Sequence, residues 1–282
     1  MPEFLSWLVE PLTYSFMQRS LLAAVLVGIV CALVGTYIVL RGMAFFGDAL
    51  AHAILPGVAA GYLVGGGTYL TVFWWALGAA VLASLGIGAV SRGTRLREDT
   101  AIGIIFAGTF ALGIAMISSI RSYAVDLSHF LFGNVLGVSN SDLLLTAGFG
   151  LLVIVVIVAF YKEFMVLSFD PVLAATLRLP RRWLENLLLV LIAIAIVVAL
   201  QTVGVALMVA MLVTPAATAF LLTKRLPRMM TLAALIAALS GIIGLYLSFY
   251  IGIASGAAIV LTCTAIFLLV WLGQTLKTNS QN

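Results

Sequence analysis

The chain is a series of long apolar runs broken by short polar or glycine-bearing stretches. The runs lie at 21–40, 48–66, 69–91, 100–118, 142–161, 185–203, 204–223, 229–251 and 255–273. Most come close to the ~20 residues that a helix needs to cross the hydrocarbon core of a bilayer. The sixth and seventh runs are almost continuous, so the turn at 202–204 has to be tight. The pattern predicts an all-α, polytopic transmembrane helical bundle of about nine spans, or eight if the short second run does not cross fully. No long polar stretch intervenes, so residues 1–282 read as a single integral membrane domain. Residues 1–17 form an interfacial segment, with Phe4, Leu5, Leu8 and Leu12 suited to a short surface helix.

Composition agrees: 64% of the 282 residues are hydrophobic and only 9% are charged, with a mean hydropathy of +1.25, which excludes a water-soluble globule. The net charge of +4 comes from basic residues grouped in short loops. These are Arg92, Arg95 and Arg97, then Lys162, Arg178, Arg181 and Arg182, then Lys224, Arg225 and Arg228, with Lys277 near the end. Pairs of spans separate the groups, so all can face the cytoplasm, as the positive-inside rule requires. Such loops report topology and imply no nucleic-acid partner. The loop with Arg121 and Asp126 then faces outward. Nine spans place Arg41 inside and eight place it outside, and charge counting does not separate the two. Cys31 and Cys263 sit alone in apolar runs and read as small core residues. The first 17 residues lack the basic start and small-residue cleavage site of a signal peptide.

Against this background the run Gly47-Asp48-Ala49-Leu50-Ala51-His52-Ala53-Ile54-Leu55-Pro56-Gly57 stands apart. Of ten acidic residues, Asp48 alone is read as sitting inside a predicted span; Glu98, Asp99, Asp142 and Glu185 are read as lying at span ends. Positions i and i+4 share a helix face, so the Asp48 carboxylate and the His52 imidazole point the same way. An ionised Asp at a bilayer centre costs about 2.5–3.5 kcal/mol even on the lenient insertion scale. A divalent cation held by both groups would offset that cost, since carboxylate oxygen and imidazole nitrogen are ordinary ligands for such ions. A helix-stabilising hydrogen bond or a proton relay is the plainer alternative. Two ligands do not complete a shell of about four to six, so the rest must come from other helices, water, freed carbonyls or a second copy of the chain. Pro56 kinks the helix and leaves the His52 carbonyl without its helical donor. Ala49, Ala53, Gly57, Gly61 and Gly65 repeat at four-residue spacing on a neighbouring face, a stripe that admits another helix backbone. It is one place where two copies could meet. Pro215 acts similarly in the seventh span and frees the Met211 carbonyl.

Other features carry less. The apolar stretch 127–140 is too short to span and reads as an outer interfacial or re-entrant helix. His129, near Asp126, reads as a satisfied interfacial histidine. Met208 and Met211 read as gap fillers, and Gln201 and Asn134 as bridging polar groups. The stretch 168–182 contains a short helix: Asp170 is a good N-cap, Pro171 fits the first helical position and Pro180 stops it. An apolar face and a basic end on the cytoplasmic side suit a docking helix for a soluble partner. The chain has no Gly-x-x-x-x-Gly-Lys-[Ser/Thr] loop, no His-Glu-x-x-His and no Gly-x-Ser-x-Gly. It is therefore not read as an enzyme.

The Asp48–Gly57 run resembles the second-span motif of the ATP-binding-cassette permeases that import manganese, zinc or ferrous iron into bacteria. So do Leu131-Phe132-Gly133-Asn134, Phe169-Asp170-Pro171, Gln201-Thr202-Val203-Gly204 and Leu212-Val213-Thr214-Pro215-Ala216-Ala217-Thr218-Ala219. The resemblance, which runs from about Pro11 to the last span, implies a type II importer fold in the bacterial plasma membrane. It also implies a homodimeric permease with no permanent cofactor and a divalent metal ion as substrate, manganese first, with zinc or ferrous iron as alternatives. Its partners would be a cytoplasmic ATP-binding subunit, which hydrolyses the ATP, and an extracytoplasmic metal-binding protein. Asp48 and His52 would handle the metal. Phe169, Asp170, Pro171, Ala174, Ala175 and Leu179 would form the coupling helix, with Pro56, Gly57, Gly61 and Pro215 shaping the helices. The rival readings are a proton-coupled secondary metal transporter, an intramembrane metalloenzyme, and an importer of organic chelates.

Overall fold

The computed structural model describes residues 9–66, 68–94, 96–119, 135–169, 174 and 176–279. Predicted features at Phe4, Leu5, Leu8, Arg95, Arg121, Asp126, His129, Asn134, Asp170, Pro171 and Ala175 lie outside them, as does most of 127–140. The described residues contain helices α1 (Ser15–Leu40), α2 (Phe46–Ala53), α3 (Leu55–Gly65), α4 (Tyr69–Gly93), α5 (Glu98–Ser118), α6 (Asn140–Ala159), α7 (Tyr161–Phe169), α8 (Arg181–Val203), α9 (Val205–Leu222), α10 (Leu226–Ile251) and α11 (Ser255–Asn279). Among the described residues nine candidate spans are long and apolar enough to cross a membrane, α2 and α3 together making the second. Several begin before the apolar runs do, because first turns such as Glu98-Asp99 and Arg181-Arg182 are polar. Acidic first-turn residues also favour the positive end of the helix dipole.

The chain divides into two compact units. One comprises the described residues of Met1–Val39, Leu131–Leu151 and Val198–Asn282. Its helices cross at small residues. Gly35 of α1 lies directly on the Leu212 backbone of α9, Gly28 and Gly241 carry the crossing of α1 with α10, and Gly244 of α10 lies on the Ile259 backbone of α11. Without a hydrophobic drive between helices in lipid, such close backbone packing supplies the attraction. The turn between α8 and α9 is one residue long: Gly204 has φ 82°, which a residue with a Cβ adopts only with strain. At one end of this unit Ser20 donates to the Val135 carbonyl at 2.9 Å and Tyr14 meets Phe249.

The second unit comprises the described residues of Leu40–Phe130 and Leu152–Val197. Here α3 and α4 form a tight antiparallel hairpin. A Cβ built on Gly61 would lie 2.8 Å from Val72 Cα, one on Gly65 would lie 2.6 Å from Thr71 Cβ, and Gly57 lies against the Trp75 carbonyl. The small-residue stripe is therefore consumed within the chain. The idea that two copies meet along it is corrected: α4 already occupies that face. At one end of this unit Arg41, Arg92, Glu98 and Glu185 line one small cavity. Arg41 thus shares the side of the Arg92 loop. A second span that crosses fully would place the two arginines together in this way.

Candidate functional site

Asp48 and His52 occupy consecutive turns of α2. Pro56, at the start of α3, has no N–H to give the His52 carbonyl, and the helix breaks at Ile54. The N–H of Ile54 itself turns back to the His52 carbonyl, so that oxygen is not left wholly free. Of the most apolar window of α2–α3, 61% is buried, against 17% for α5. The span is thus held among other helices.

The position of the pair follows from its neighbours. The His52 ring lies 6.1 Å from that of Phe106 and 5.7 Å from that of Phe110, the latter edge-on. Those two phenylalanines flank Gly108, the midpoint of α5 (Glu98–Ser118). The imidazole therefore lies beside the middle of α5. Phe106 and Phe110 stack on each other at 5.6 Å, and Phe45 stands edge-on to Phe106 at 5.9 Å. This aromatic wall restricts the imidazole rotamer. Sequence reading missed it, although the spacing of Phe106 and Phe110 by four residues marks one face of α5.

His52 Nε2 is 3.7 Å from Asp48 Oδ1, beyond hydrogen-bonding range. His52 Nδ1 is buried and meets no hydrogen-bond partner among the described residues. No hydrogen bond from a described residue reaches the Asp48 carboxylate either. Side-chain exposure is 38% for Asp48 and 29% for His52, while Ala49, Leu50, Ala51, Ala53, Ile54 and Leu55 are buried. Asp48, His52, Pro56 and Ala60 form a part-exposed stripe along α2 and the start of α3, whose other residues from Phe46 to Gly61 are covered. At this distance the pair is an i,i+4 contact without a direct hydrogen bond. It offers a carboxylate and an imidazole to a further group. Among the described residues no third His, Cys, Asp or Glu joins them.

The other predicted residues are spread through the fold. Pro56 and Gly57 border an apolar cavity of about 470 Å³ with Trp74, Trp75 and Met116. Gly61 packs in the hairpin. Pro215 is buried inside α9, and Met208 and Met211 are buried there as core residues. In the 168–182 stretch Phe169 and Leu177 are exposed, Leu179 is half-buried and Ala174 is fully buried. The Leu179 N–H donates to the Ala174 carbonyl at 3.1 Å and Arg178 has φ 51°. That is a Schellman-type helix end, closing the turn one residue before Pro180.

Residues 13–274 match the ABC 3 transport family. The chain belongs to that family. Among its relatives, the manganese transport system membrane protein MntC of Halalkalibacterium halodurans is 48% identical over 260 residues, 92% of this chain and 88% of the relative. The chelated iron transport system membrane protein YfeD of Yersinia pestis is 38% identical over 270 residues, 95% and 88% of the two chains. A solved structure of PsaBC from Streptococcus pneumoniae in complex with Fab superimposes with a TM-score of 0.81 at 37% identity, covering 95% of each chain. Family membership and the nine apolar helices make the chain a multi-pass protein of the bacterial plasma membrane and a permease-type subunit of an ABC transporter.

Proposed function

We propose that this ABC 3 family member is the permease subunit of an ATP-driven manganese importer, with Asp48 and His52 contacting the ion in transit. The observation that carries the reading is the pair itself: an acid and an imidazole on consecutive turns of one apolar span, 3.7 Å apart, with no direct hydrogen bond between them and both part-exposed. Several relatives are named for manganese transport. Zinc and ferrous iron accept the same nitrogen and oxygen donors, and the relative named for chelated iron keeps iron in view.

Two donors leave the shell incomplete. A second copy facing the Asp48–His52–Pro56 stripe would add another carboxylate and imidazole, giving four protein ligands. The remaining parts are a separate cytoplasmic ATP-binding subunit, an extracytoplasmic protein that delivers the metal, and alternating access driven by ATP. Among the described residues of 168–182, Phe169 and Leu177 are the exposed apolar side chains available to the ATPase.

The test is uptake of isotopic manganese, zinc and ferrous iron into liposomes carrying the permease with its ATPase and binding protein. Manganese should enter in an ATP-dependent way, and Asp48→Asn or His52→Ala should abolish entry while the protein still inserts. Uptake driven by a proton gradient without ATP would establish the secondary-transporter reading instead. Normal uptake by both variants would remove the pair from the path.

A further inference from the structure

At the Arg41 end of the second unit lies a cluster of charges, unusual in a chain that is 9% charged. Glu185, only 7% exposed, accepts from Arg181 Nε at 2.7 Å and from Arg92 Nη1 at 3.4 Å. Arg92 Nη2 donates to Asn186 Oδ1 at 2.7 Å. Arg41 and Glu98 line the same cavity of about 20 Å³, room for about one water. Burial depresses the Arg41 guanidinium below the usual arginine value, opposed by Glu98 and Glu185. Gly88 makes room for the arrangement: a Cβ there would lie 2.6 Å from Leu189 Cδ1 and 3.0 Å from Arg92 Nη1.

Glu185 is buried while Arg92 and Arg181 are 28% and 53% exposed, so the pairs contribute modest net stability, yet removing Glu185 leaves Arg41 and Arg92 without their shared carboxylate. Such a cluster is better suited to fixing relative positions than to holding the fold. Its members occupy three informative places. Arg181 and Glu185 begin α8, immediately after the stretch proposed to meet the ATPase. Arg92 ends α4, which is locked to α3 through Gly57, Gly61 and Gly65. Arg41 opens the turn that leads into α2, seven residues before Asp48.

We propose that Glu185 is a positioning residue that, through Arg181 and Arg92, ties the start of α8 to the helices flanking the Asp48–His52 pair, so that movement at the cytoplasmic stretch reaches the metal path. This rests on the importer reading above. When Glu185 loses its charge, Arg41, Arg92 and Arg181 face one another with Glu98 alone to balance them, and α8 moves without α4 and the 41–45 turn.

The experiment uses Glu185→Gln in the complete transporter, reconstituted with its ATPase and binding protein. ATP hydrolysis, manganese entry, equilibrium manganese binding and the melting temperature are measured on the same preparations. The expected result, measured well below the melting temperature, is near-normal hydrolysis and binding, a melting temperature somewhat lowered because the arginines lose their shared counter-charge, and the manganese moved per ATP lowered about tenfold. Glu185→Asp, which keeps the charge, restores part of the ratio. An unchanged ratio overturns the proposal. A fall in melting temperature with hydrolysis and entry lost together also overturns it, since Glu185 then only holds the fold. If the parent protein moves no manganese at all, the importer reading fails first, an outcome distinct from either.

Discussion

His52 Nε2 stands 3.7 Å from Asp48 Oδ1, near enough for the two groups to hold one cation and too far for them to satisfy each other. In the importer proposed above, that relationship would make ion binding depend on pH. Both donors bind a metal only when deprotonated, so protons and metal compete for them. Manganese affinity should therefore fall as the pH is lowered. His52→Gln, which keeps a polar side chain but removes the imidazole proton site, should flatten that fall while weakening binding overall. Isotope binding to the purified transporter across a pH series checks both. An affinity independent of pH would mean that neither group contacts the ion.

The hairpin of α3 and α4 supports the pair from behind, and its tolerance is small. Replacing Gly61 by Leu drives side-chain atoms into the Val72 and Trp75 region, where even a Cβ would lie 2.8 Å from Val72 Cα and 3.1 Å from Trp75 Cβ. Overpacking of this kind costs about 1–3 kcal/mol or more. Gly78 on α4 has nothing within 4 Å of a built Cβ, so Gly78→Leu is the matched control. Thermal melting in detergent should drop clearly for Gly61→Leu and stay near the parent for Gly78→Leu. Equal melting of the two variants would mean that the hairpin is looser than its backbone contacts imply.

Much of this architecture is legible in the sequence, because span length and the sidedness of basic loops follow directly from the bilayer. The nine spans sit within a few residues of the apolar runs, and the early starts at Glu98 and Arg181 reflect polar first turns that hydropathy discounts. The Asp48–His52 face is legible too, since helix geometry alone aligns residues four apart. What escapes is contact between distant segments. The glycine stripe signals a close helix neighbour but does not say which, and the neighbour proves to be α4 rather than another copy. The wall of Phe106 and Phe110 on His52, and the bond from Arg92 to Glu185, join residues far apart in the chain. No local pattern encodes those partners.

The cytoplasmic stretch separates a docking role from a structural one at the level of single side chains. Leu177 is 55% exposed, whereas Ala174 is fully buried, although both lie in the same short apolar segment. Leu177→Asp leaves the permease interior untouched and places a charge where an apolar surface would meet the ATPase. Its expected effect is loss of about 1–3 kcal/mol of association, read as a tenfold or greater fall in ATPase capture by the tagged permease, with melting unchanged. Ala174→Asp buries an unpaired carboxylate and should instead lower the melting temperature and the yield. If Leu177→Asp captures the ATPase as well as the parent does, the docking surface lies elsewhere on the cytoplasmic side, and Phe169 and Leu177 are ordinary exposed residues.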